Sequence, residues 1–383
     1  RMSADPFARI RPFNDAEVPG VVERLLANVA LLDAIARLRL PRASAMLGSW
    51  LRGPVRFALR RQLRDVQDVA GVQRIVERYM RHMISASTRS FSVSGLEQLD
   101  ASRASLFIGN HRDIALDPAF LNFALHSRSR ETARVAIGDN LLTKDYVSDL
   151  MRLNKSFIVR RSEKGPRQVF AALQELSGYI RHSLLEEKCP VWIAQREGRA
   201  KDGWDRTEPA IIKMLAISKP KEQPFPEFVR ELGIVPVAIS YEWNPCDAGK
   251  AHELAVRARE GSYAKAEHED VNSIALSITA PKGSVHVAFG QPLAGDYVTP
   301  EAVATAIDRQ VLALYRVQPT NLCAYRIAEG SLPASADPQA AAAADAVGVA
   351  FHARLEALPP EERPFLLDMY ANPLRNSAAF NAA

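Results

Sequence analysis

The sequence is poor in cysteine and lacks an apolar run long enough to cross a bilayer. Its three cysteines, Cys189, Cys246 and Cys323, are widely spaced, which argues against a disulfide framework or a thiolate metal site and favours a reducing compartment. The most apolar stretch, residues 21–40, is interrupted by six charged or polar side chains, whereas a span needs about 18 apolar residues. We therefore expect no membrane span. Residues 1–20 have no apolar core of a secretory signal.

Several catalytic signatures are also missing. The chain has no G-x-S-x-G, G-x-G-x-x-G, Walker A or H-E-x-x-H motif, which disfavours covalent serine hydrolases, dinucleotide enzymes, P-loop NTPases and zincins. Aromatic residues make up 7% and no nucleic-acid-binding module is recognisable, so we expect no nucleic-acid partner. What remains is a folded composition, 47% hydrophobic and 24% charged over 383 residues, long enough for two domains.

Positive charge is concentrated near the N-terminus. The net charge is +5, and eight arginines but no acidic residue lie between Arg37 and Arg64. After Gly53-Pro54, arginines recur every four residues beside a row of apolar side chains, which predicts a basic amphipathic helix. Such a helix is typical of a membrane surface. It is equally typical of a surface helix that packs on the next domain, and periodicity alone leaves both interpretations open.

The pattern changes at about Phe91, where short apolar runs begin to alternate with helical stretches. The predicted strands are 104–108, 133–137, 156–159, 191–194 and 234–241. Their alternation with helices predicts an α/β fold with a mostly parallel sheet flanked by helices. Residues 273–279 and 285–289 suggest a hairpin joined by Pro281-Lys-Gly283. We therefore expect three regions: a helical N-terminal region (1–90), an α/β domain (91–325), and an Ala/Pro-rich linker with a C-terminal helical tail (326–383).

Residues 107–118 contain the strongest candidate for acid–base chemistry. A predicted strand ends at Gly109-Asn110, and His111 follows with two carboxylates nearby, Asp113 and Asp117. A carboxylate beside a histidine selects the ring tautomer and stabilises the imidazolium that forms on proton uptake. The same residues also suit a purely structural role, because Asp117-Pro118 is a good helix start and His111 can be an ordinary loop histidine. These residues alone leave both interpretations open.

Two further strand ends carry charged residues. One predicted strand ends in Arg160 and Arg161, whose planar guanidinium groups suit phosphate oxygens. Another runs into Glu197-Gly198-Arg199, where glycine permits positive φ or a close backbone approach. Each segment taken alone is as consistent with a solvent-facing loop.

Taken together and in this order, these segments resemble the motifs of the glycerolipid acyltransferase family. The resemblance rests on NHRDIALD (110–117), FIVR (157–160), EGR (197–199) and IVPVAI (234–239), within about a third of the chain. Two features depart from the family pattern. Five residues, rather than four, separate His111 from Asp117, and Arg199 follows Gly198 directly. The departures indicate a divergent branch.

The resemblance implies a role for each of these residues. His111 is expected to be the general base, with Asp117 orienting it and Asp113 as the rival carboxylate. Arg160, Glu197, Gly198 and Arg199 are expected to bind the phosphate of the acceptor, and Arg161, Arg196 and Lys201 are possible supplements. The acyl donor would be a thioester of coenzyme A or acyl carrier protein. Because a thioester is already activated, neither a metal nor another cofactor is expected.

The resemblance also implies a lipid-associated function. The expected reaction transfers an acyl group to a hydroxyl of a glycerophosphate or a lysophospholipid, in phospholipid synthesis or remodelling. The expected partners are membrane-surface lipids, the thioester donor and a phosphorylated acceptor. The expected location is the cytoplasm, peripherally on the inner face of the cell membrane. The alternative is a non-catalytic lipid- or phosphate-binding protein that retains the fold. A separation of more than about 4 Å between His111 and both aspartates favours that alternative.

Overall fold

The computed structural model describes residues 5–266 and 269–382. The helices are α1 (Val18–Ala27), α2 (Val29–Arg39), α3 (Pro41–Leu47), α4 (Arg52–Leu63), α5 (Val69–Ser87), α6 (Leu116–His126), α7 (Asp145–Leu153), α8 (Pro166–Leu185), α9 (Pro209–Leu215), α10 (Phe225–Leu232), α11 (Asp247–Glu260), α12 (Glu269–Thr279), α13 (Pro300–Leu314), α14 (Pro319–Glu329), α15 (Pro338–Glu356) and α16 (Arg363–Ala382). The strands are β1 (Thr88–Ser94), β2 (Leu106–Gly109), β3 (Arg134–Gly138), β4 (Ser156–Val159), β5 (Val191–Ala194), β6 (Ile234–Tyr241) and β7 (Gly283–Phe289).

The chain divides into two compact units. Unit 1 comprises Arg1–Tyr79 and Arg134–Tyr179, and unit 2 comprises Met80–Ala133 and Ile180–Ala383. Unit 1 contains α1 to α4, which confirms the helical N-terminal region, and the parallel pair β3–β4. The three sequence boundaries, 1–90, 91–325 and 326–383, stay a prediction.

Unit 2 is built on a mixed sheet with the order β1-β7-β6-β2-β5. Three of its four strand pairings are parallel, and only β6–β7 is antiparallel. Every residue of β6 is buried, as expected of a strand covered on both faces. The predicted α/β class with a mostly parallel sheet is therefore confirmed.

The register of β2 determines which loops meet. Gly109 at the end of β2 pairs with Ala194 at the end of β5 and with Val237 inside β6. The loops that follow β2 and β5 therefore leave the sheet side by side at its carboxyl edge. Ligands bind at this edge in open α/β sheets, so the register brings the segments after residues 109 and 194 to one place.

The predicted hairpin was wrong in its first strand. Residues 273–279 lie in α12, whereas β7 pairs with β1 and β6. The large apolar residues Ile274, Leu276 and Ile278 alternate with period two, which favours a strand, yet the segment is helical. Ser273 and Ser277, four residues apart, share one face of that helix. Ser277 is buried, whereas Leu276 and Ile278 on either side of it are exposed. The contacts of these serines with buried polar partners, described below, favour the helix over the strand.

The C-terminal segment forms two long helices that bury apolar side chains. Phe351 on α15 and Leu366, Met369 and Tyr370 on α16 are buried in one cluster, which also includes residues of α11 and α14. The helix α15 begins at Pro338, after Asp337 caps it. Among the residues that the structure describes, no helix has the length and apolar character needed to cross a bilayer.

His286 on β7 links this strand to β1, the neighbouring edge strand of the unit 2 sheet. Its Nδ1 lies 2.8 Å from Ser92 Oγ, and its Nε2 lies 3.0 Å from Ser94 Oγ. Burial, helped by the positive charge of Arg316, lowers the pKa of His286 to about 4. The imidazole is therefore neutral in the folded chain at neutral pH.

We predict that His286 makes unit 2 sensitive to acid. The unfolded chain takes up a proton at this histidine near its ordinary pKa of 6.5, whereas the folded chain does so only near 4. The free energy of unfolding should therefore fall as the pH drops from 6.5 to 4. His286→Gln, which retains polar contacts but does not titrate, should flatten the slope in urea titrations over that range. An unchanged slope would contradict the assignment.

Candidate active site

His111 and Asp117 form a close pair in the loop after β2. His111 Nδ1 lies 2.9 Å from Asp117 Oδ2. The same Oδ2 accepts the backbone N–H groups of Arg112 at 2.6 Å and Asp113 at 2.9 Å, and Tyr241 Oη donates to Oδ1 at 2.7 Å. Asp117 is buried, and these four donors compensate its charge. They also fix the imidazole, which packs edge-on against Trp192.

Asp113 has a different set of partners. Its Oδ1 accepts the N–H groups of Ala115 and Leu116 at the start of α6, and its Oδ2 accepts Ser277 Oγ at 2.5 Å. Asp113 therefore accepts the N–H groups at the start of α6. Asp117 lies within the first turn of that helix rather than at the capping position that the structural interpretation of Asp117-Pro118 assumed. Of the two rival carboxylates, the structure places Asp117 beside the imidazole.

The loop after β5 wraps around the histidine loop. Ala200 N donates to the carbonyl oxygen of His111 at 2.8 Å. Arg112 donates to Asp205 Oδ2 at 2.5 Å, and Asn110 Nδ2 donates to the same carboxylate at 3.3 Å. All three of these polar side chains are buried. The Glu-Gly-Arg segment is thereby held next to His111 by hydrogen bonds rather than by sequence proximity.

Within that loop, Arg199 has unused hydrogen-bonding capacity, as do Gln195 and Arg196. Its side chain is only 7% exposed, and Nη2 lies 4.0 Å from Asp270 Oδ1, beyond hydrogen-bond distance. Its Nη1 is buried without a partner. Gly198, the preceding residue, has a φ of +72°. A positive φ is one of the two roles that we expected of this glycine from the sequence. Glu197 is exposed, and its backbone N–H donates to Glu208.

The other predicted phosphate ligands are dispersed. Arg160 and Arg161 belong to unit 1, where Arg160 lies 3.6 Å from Glu163 and 3.5 Å from Glu175. Arg196 lies 3.8 Å from Glu208, and Lys201 is paired with the buried Glu253. Among the cations named from the sequence, Arg160 Nε, Arg196 Nε and Arg199 Nη1 are buried without a hydrogen-bond partner. Arg199 is the least exposed of the three, at 7% against 20% for Arg160 and 32% for Arg196.

Two residues at the site were not identified from the sequence. Tyr241, the last residue of β6, reaches Asp117 because β6 lies next to β2. Burial, with the negative charge of Asp117, raises the pKa of Tyr241 well above its ordinary value, so the phenol remains a donor. The only sequence signal was its position at a strand end.

The second is Lys250 on α11. Its Nζ donates to the carbonyl oxygen of Arg112 and to Asn244 Oδ1, both at 2.6 Å. Burial, together with the positive charge of Arg199, lowers its pKa to about 7, whereas Asp113 opposes the change. Lys250 thus fastens the histidine loop to α11. No periodic or motif signal pointed to it.

Comparison with known proteins is consistent with this geometry. Residues 90–239, which include the histidine loop and the loop after β5, match the family model named Acyltransferase. Among solved structures, the chain resembles the 1-acyl-sn-glycerophosphate (LPA) acyltransferase PlsC from Thermotoga maritima. The sequence identity is 14%, 76% of this chain and 94% of that chain are covered, and the TM-score is 0.38.

A likeness at that level does not define a substrate, and no curated protein matches the chain. The family match covers 150 of the 383 residues, since it runs from 90 to 239. The motifs that carry the resemblance in unit 2, at residues 110–117, 197–199 and 234–239, all lie inside it. Residues 90–239 therefore match the Acyltransferase family model, and the rest of the chain lies outside the match.

Proposed function

We propose that the protein transfers an acyl group from a thioester of coenzyme A or acyl carrier protein to a hydroxyl of a phosphorylated glycerolipid acceptor. The observation that carries this proposal is the His111–Asp117 pair at 2.9 Å, at the sheet edge within the residues that match the Acyltransferase family model. Because Nδ1 faces Asp117, Nε2 is the nitrogen left to take a proton from the acceptor.

The proposed reaction is a general-base transfer without an acyl-enzyme. His111 Nε2 takes the proton of the acceptor hydroxyl, and the oxygen attacks the thioester carbonyl carbon. The C–S bond then breaks, and the leaving thiolate takes the proton from the imidazolium, giving an ester and a free thiol. Asp117 stabilises the imidazolium between these steps, as a buried carboxylate does in comparable sites. This chemistry calls for no metal or other cofactor.

Arg199 is proposed to bind the phosphate of the acceptor. Its buried Nη1 lacks a partner, and a guanidinium group binds phosphate oxygens through paired N–H donors. Arg160 and Glu197, with the turn at Gly198, remain proposed contributors on the strength of the motif resemblance. The 2.9 Å separation of His111 from Asp117 supports an enzyme over the non-catalytic lipid- or phosphate-binding protein considered above.

Unit 1 is proposed to hold the protein peripherally on the inner face of the cell membrane. In α4, Arg52 pairs with Asp33, Arg56 donates to the Leu26 carbonyl oxygen, and Arg60 pairs with Glu23. These three arginines therefore pair with groups of their own unit. The side chains left exposed include large apolar residues: Leu38, Met46, Leu47, Trp50 and Phe57. Exposed Arg37, Arg39 and Arg42 accompany them, a combination that suits an anionic lipid surface.

His111→Ala should abolish the transfer while leaving the protein folded. Loss of a general base costs about 10²–10⁴-fold in rate. The assay pairs acyl-CoA and acyl carrier protein donors with glycerol 3-phosphate and several lysophospholipids. Exposed His352→Ala on α15 is the control and should keep the wild-type rate, with folding checked by circular dichroism. Full activity of His111→Ala would rule out the proposed base.

Asp117→Asn and Asp113→Asn should differ sharply in activity. Asp117→Asn removes the charge that stabilises the imidazolium and should lower kcat by about 10³-fold or more. Asp113→Asn keeps the oxygen that caps α6 and should lower kcat less than about tenfold. Equal losses, or the reverse order, would contradict the assignment of Asp117 as the partner of His111.

Removing two exposed aromatic side chains should weaken membrane association. Trp50 and Phe57 are 85% and 71% exposed, and each contributes up to about 1.5–3 kcal/mol when fully buried in an apolar phase. The double variant Trp50→Ser/Phe57→Ser should bind vesicles containing phosphatidylglycerol at least about tenfold more weakly, and added salt should weaken wild-type binding. Val298→Ser, at a residue 72% exposed in unit 2, is the control. Equal binding by the double variant would contradict the proposal.

A further inference from the structure

Helix α12 packs on the site with its polar face. Ser277 is fully buried and donates to Asp113 Oδ2, while Cys246 Sγ lies 3.2 Å from both Ser277 Oγ and the Ser273 carbonyl oxygen. On the outer side of the helix, Leu276 and Ile278 are exposed. This helix therefore buries polar side chains and exposes apolar ones, whereas an ordinary surface helix does the opposite. The second half of α12 is thus anchored to the loop that carries His111.

The first turn of α12 places a carboxylate beside Arg199. Asp270 Oδ1 lies 4.0 Å from Arg199 Nη2, and both Asp270 oxygens contact Lys265 Nζ, at 2.7 and 3.0 Å. The side chain of Asp270 is 19% exposed, so its charge is only partly screened by water. Any anion that binds Arg199 must therefore share that guanidinium group with a negative charge already present.

The neighbouring cations already have partners within the protein. Lys201 and Arg257 both pair with the buried Glu253, and Lys250 donates to two oxygen acceptors. Lys265 pairs with Asp270 and offsets part of its charge, but Lys265 is 42% exposed, so solvent weakens that compensation. Arg199 therefore combines an unpartnered buried Nη1 with a carboxylate that is only partly compensated. Such a site favours a ligand of low negative charge over one of high negative charge.

We propose that Asp270 makes the acceptor site selective for a phosphodiester, as in a lysophospholipid with a head group, over a phosphomonoester. A phosphodiester carries one negative charge, whereas a phosphomonoester carries about 1.5 to 2 at pH 7. Asp270 repels both ligands, and it repels the phosphomonoester up to about twice as strongly as the phosphodiester. The inference rests on the proposed function of Arg199 and narrows the acceptor class of that function.

The test compares two acceptors with the same acyl chain, lysophosphatidylglycerol and lysophosphatidate, in the full-length protein. Wild type should have the lower KM for the diester. Asp270→Asn should lower the KM for the monoester by about threefold to tenfold, a range typical of one partly screened charge, with kcat and the diester KM changing less than about twofold. Glu269→Gln, which alters the neighbouring carboxylate that contacts Tyr263 and the Ala266 backbone, is the matched control and should leave the ratio unchanged.

Two further readouts separate charge repulsion from a merely structural role. In an Arg199→Gln background, Asp270→Asn should change the ratio of the two KM values less than it does with Arg199 present, because the phosphate is no longer held beside Asp270. Lowering the pH from 7.5 to 5.5 protonates the monoester, whose second pKa is about 6. This should reduce the preference of wild type for the diester, whereas the preference of Asp270→Asn should change little over this pH range.

The soluble head groups glycerol 3-phosphate and glycerophosphoglycerol provide the same comparison without turnover, by calorimetric titration of wild type and Asp270→Asn. A KM ratio or binding ratio that does not change in Asp270→Asn, or monoester binding that weakens, would overturn the inference. Absence of acyl transfer by wild type with every donor and acceptor would overturn the proposed function, while the binding ratio would still decide the role of Asp270.

Discussion

The site depends on the compensation of one buried charge, the carboxylate of Asp117. Four donors reach its two oxygens: two backbone N–H groups of its own loop, the imidazole of His111 and the phenol of Tyr241. A buried carboxylate without such donors is strongly unfavourable, so the loop closes around it. The orientation of His111 thereby depends on β6 as well as on β2, because Tyr241 comes from the neighbouring strand.

The two aspartates of the histidine loop have different partners. Asp113 starts α6 and connects the loop to α12 through Ser277, while Asp117 contacts the imidazole. Because α12 is held through Ser277 and Asp113, the carboxylate of Asp270, about two helix turns before Ser277, lies next to Arg199. The histidine loop and the charge balance of the proposed acceptor site are therefore parts of one hydrogen-bonded assembly.

Much of the sheet could be predicted from local sequence. The bounds predicted for 156–159, 191–194 and 234–241 coincide with β4, β5 and β6, because buried parallel strands are short apolar runs between turn or charged residues. The edge strand β1 was missed, since Thr88–Ser94 is rich in serine and only partly buried. Residues 273–279 were assigned to a strand because large apolar residues occupy every second position, and no local pattern reveals that Ser277 is bound by Asp113, far away in the sequence.

By itself, the sequence determined the fold class and the segments that carry the chemistry, because strand periodicity and the order of the four motifs are local properties of the chain. The residues alone narrowed the partner of His111 to two carboxylates of one loop, and the motif resemblance favoured Asp117. Only the tertiary structure placed Asp117 beside the imidazole, brought Tyr241 and Lys250 to the loop, and set Asp270 next to Arg199. The contacts of Tyr241, Lys250 and Asp270 join residues 71 to 138 positions apart, and they follow from strand order and helix packing rather than from any sequence pattern.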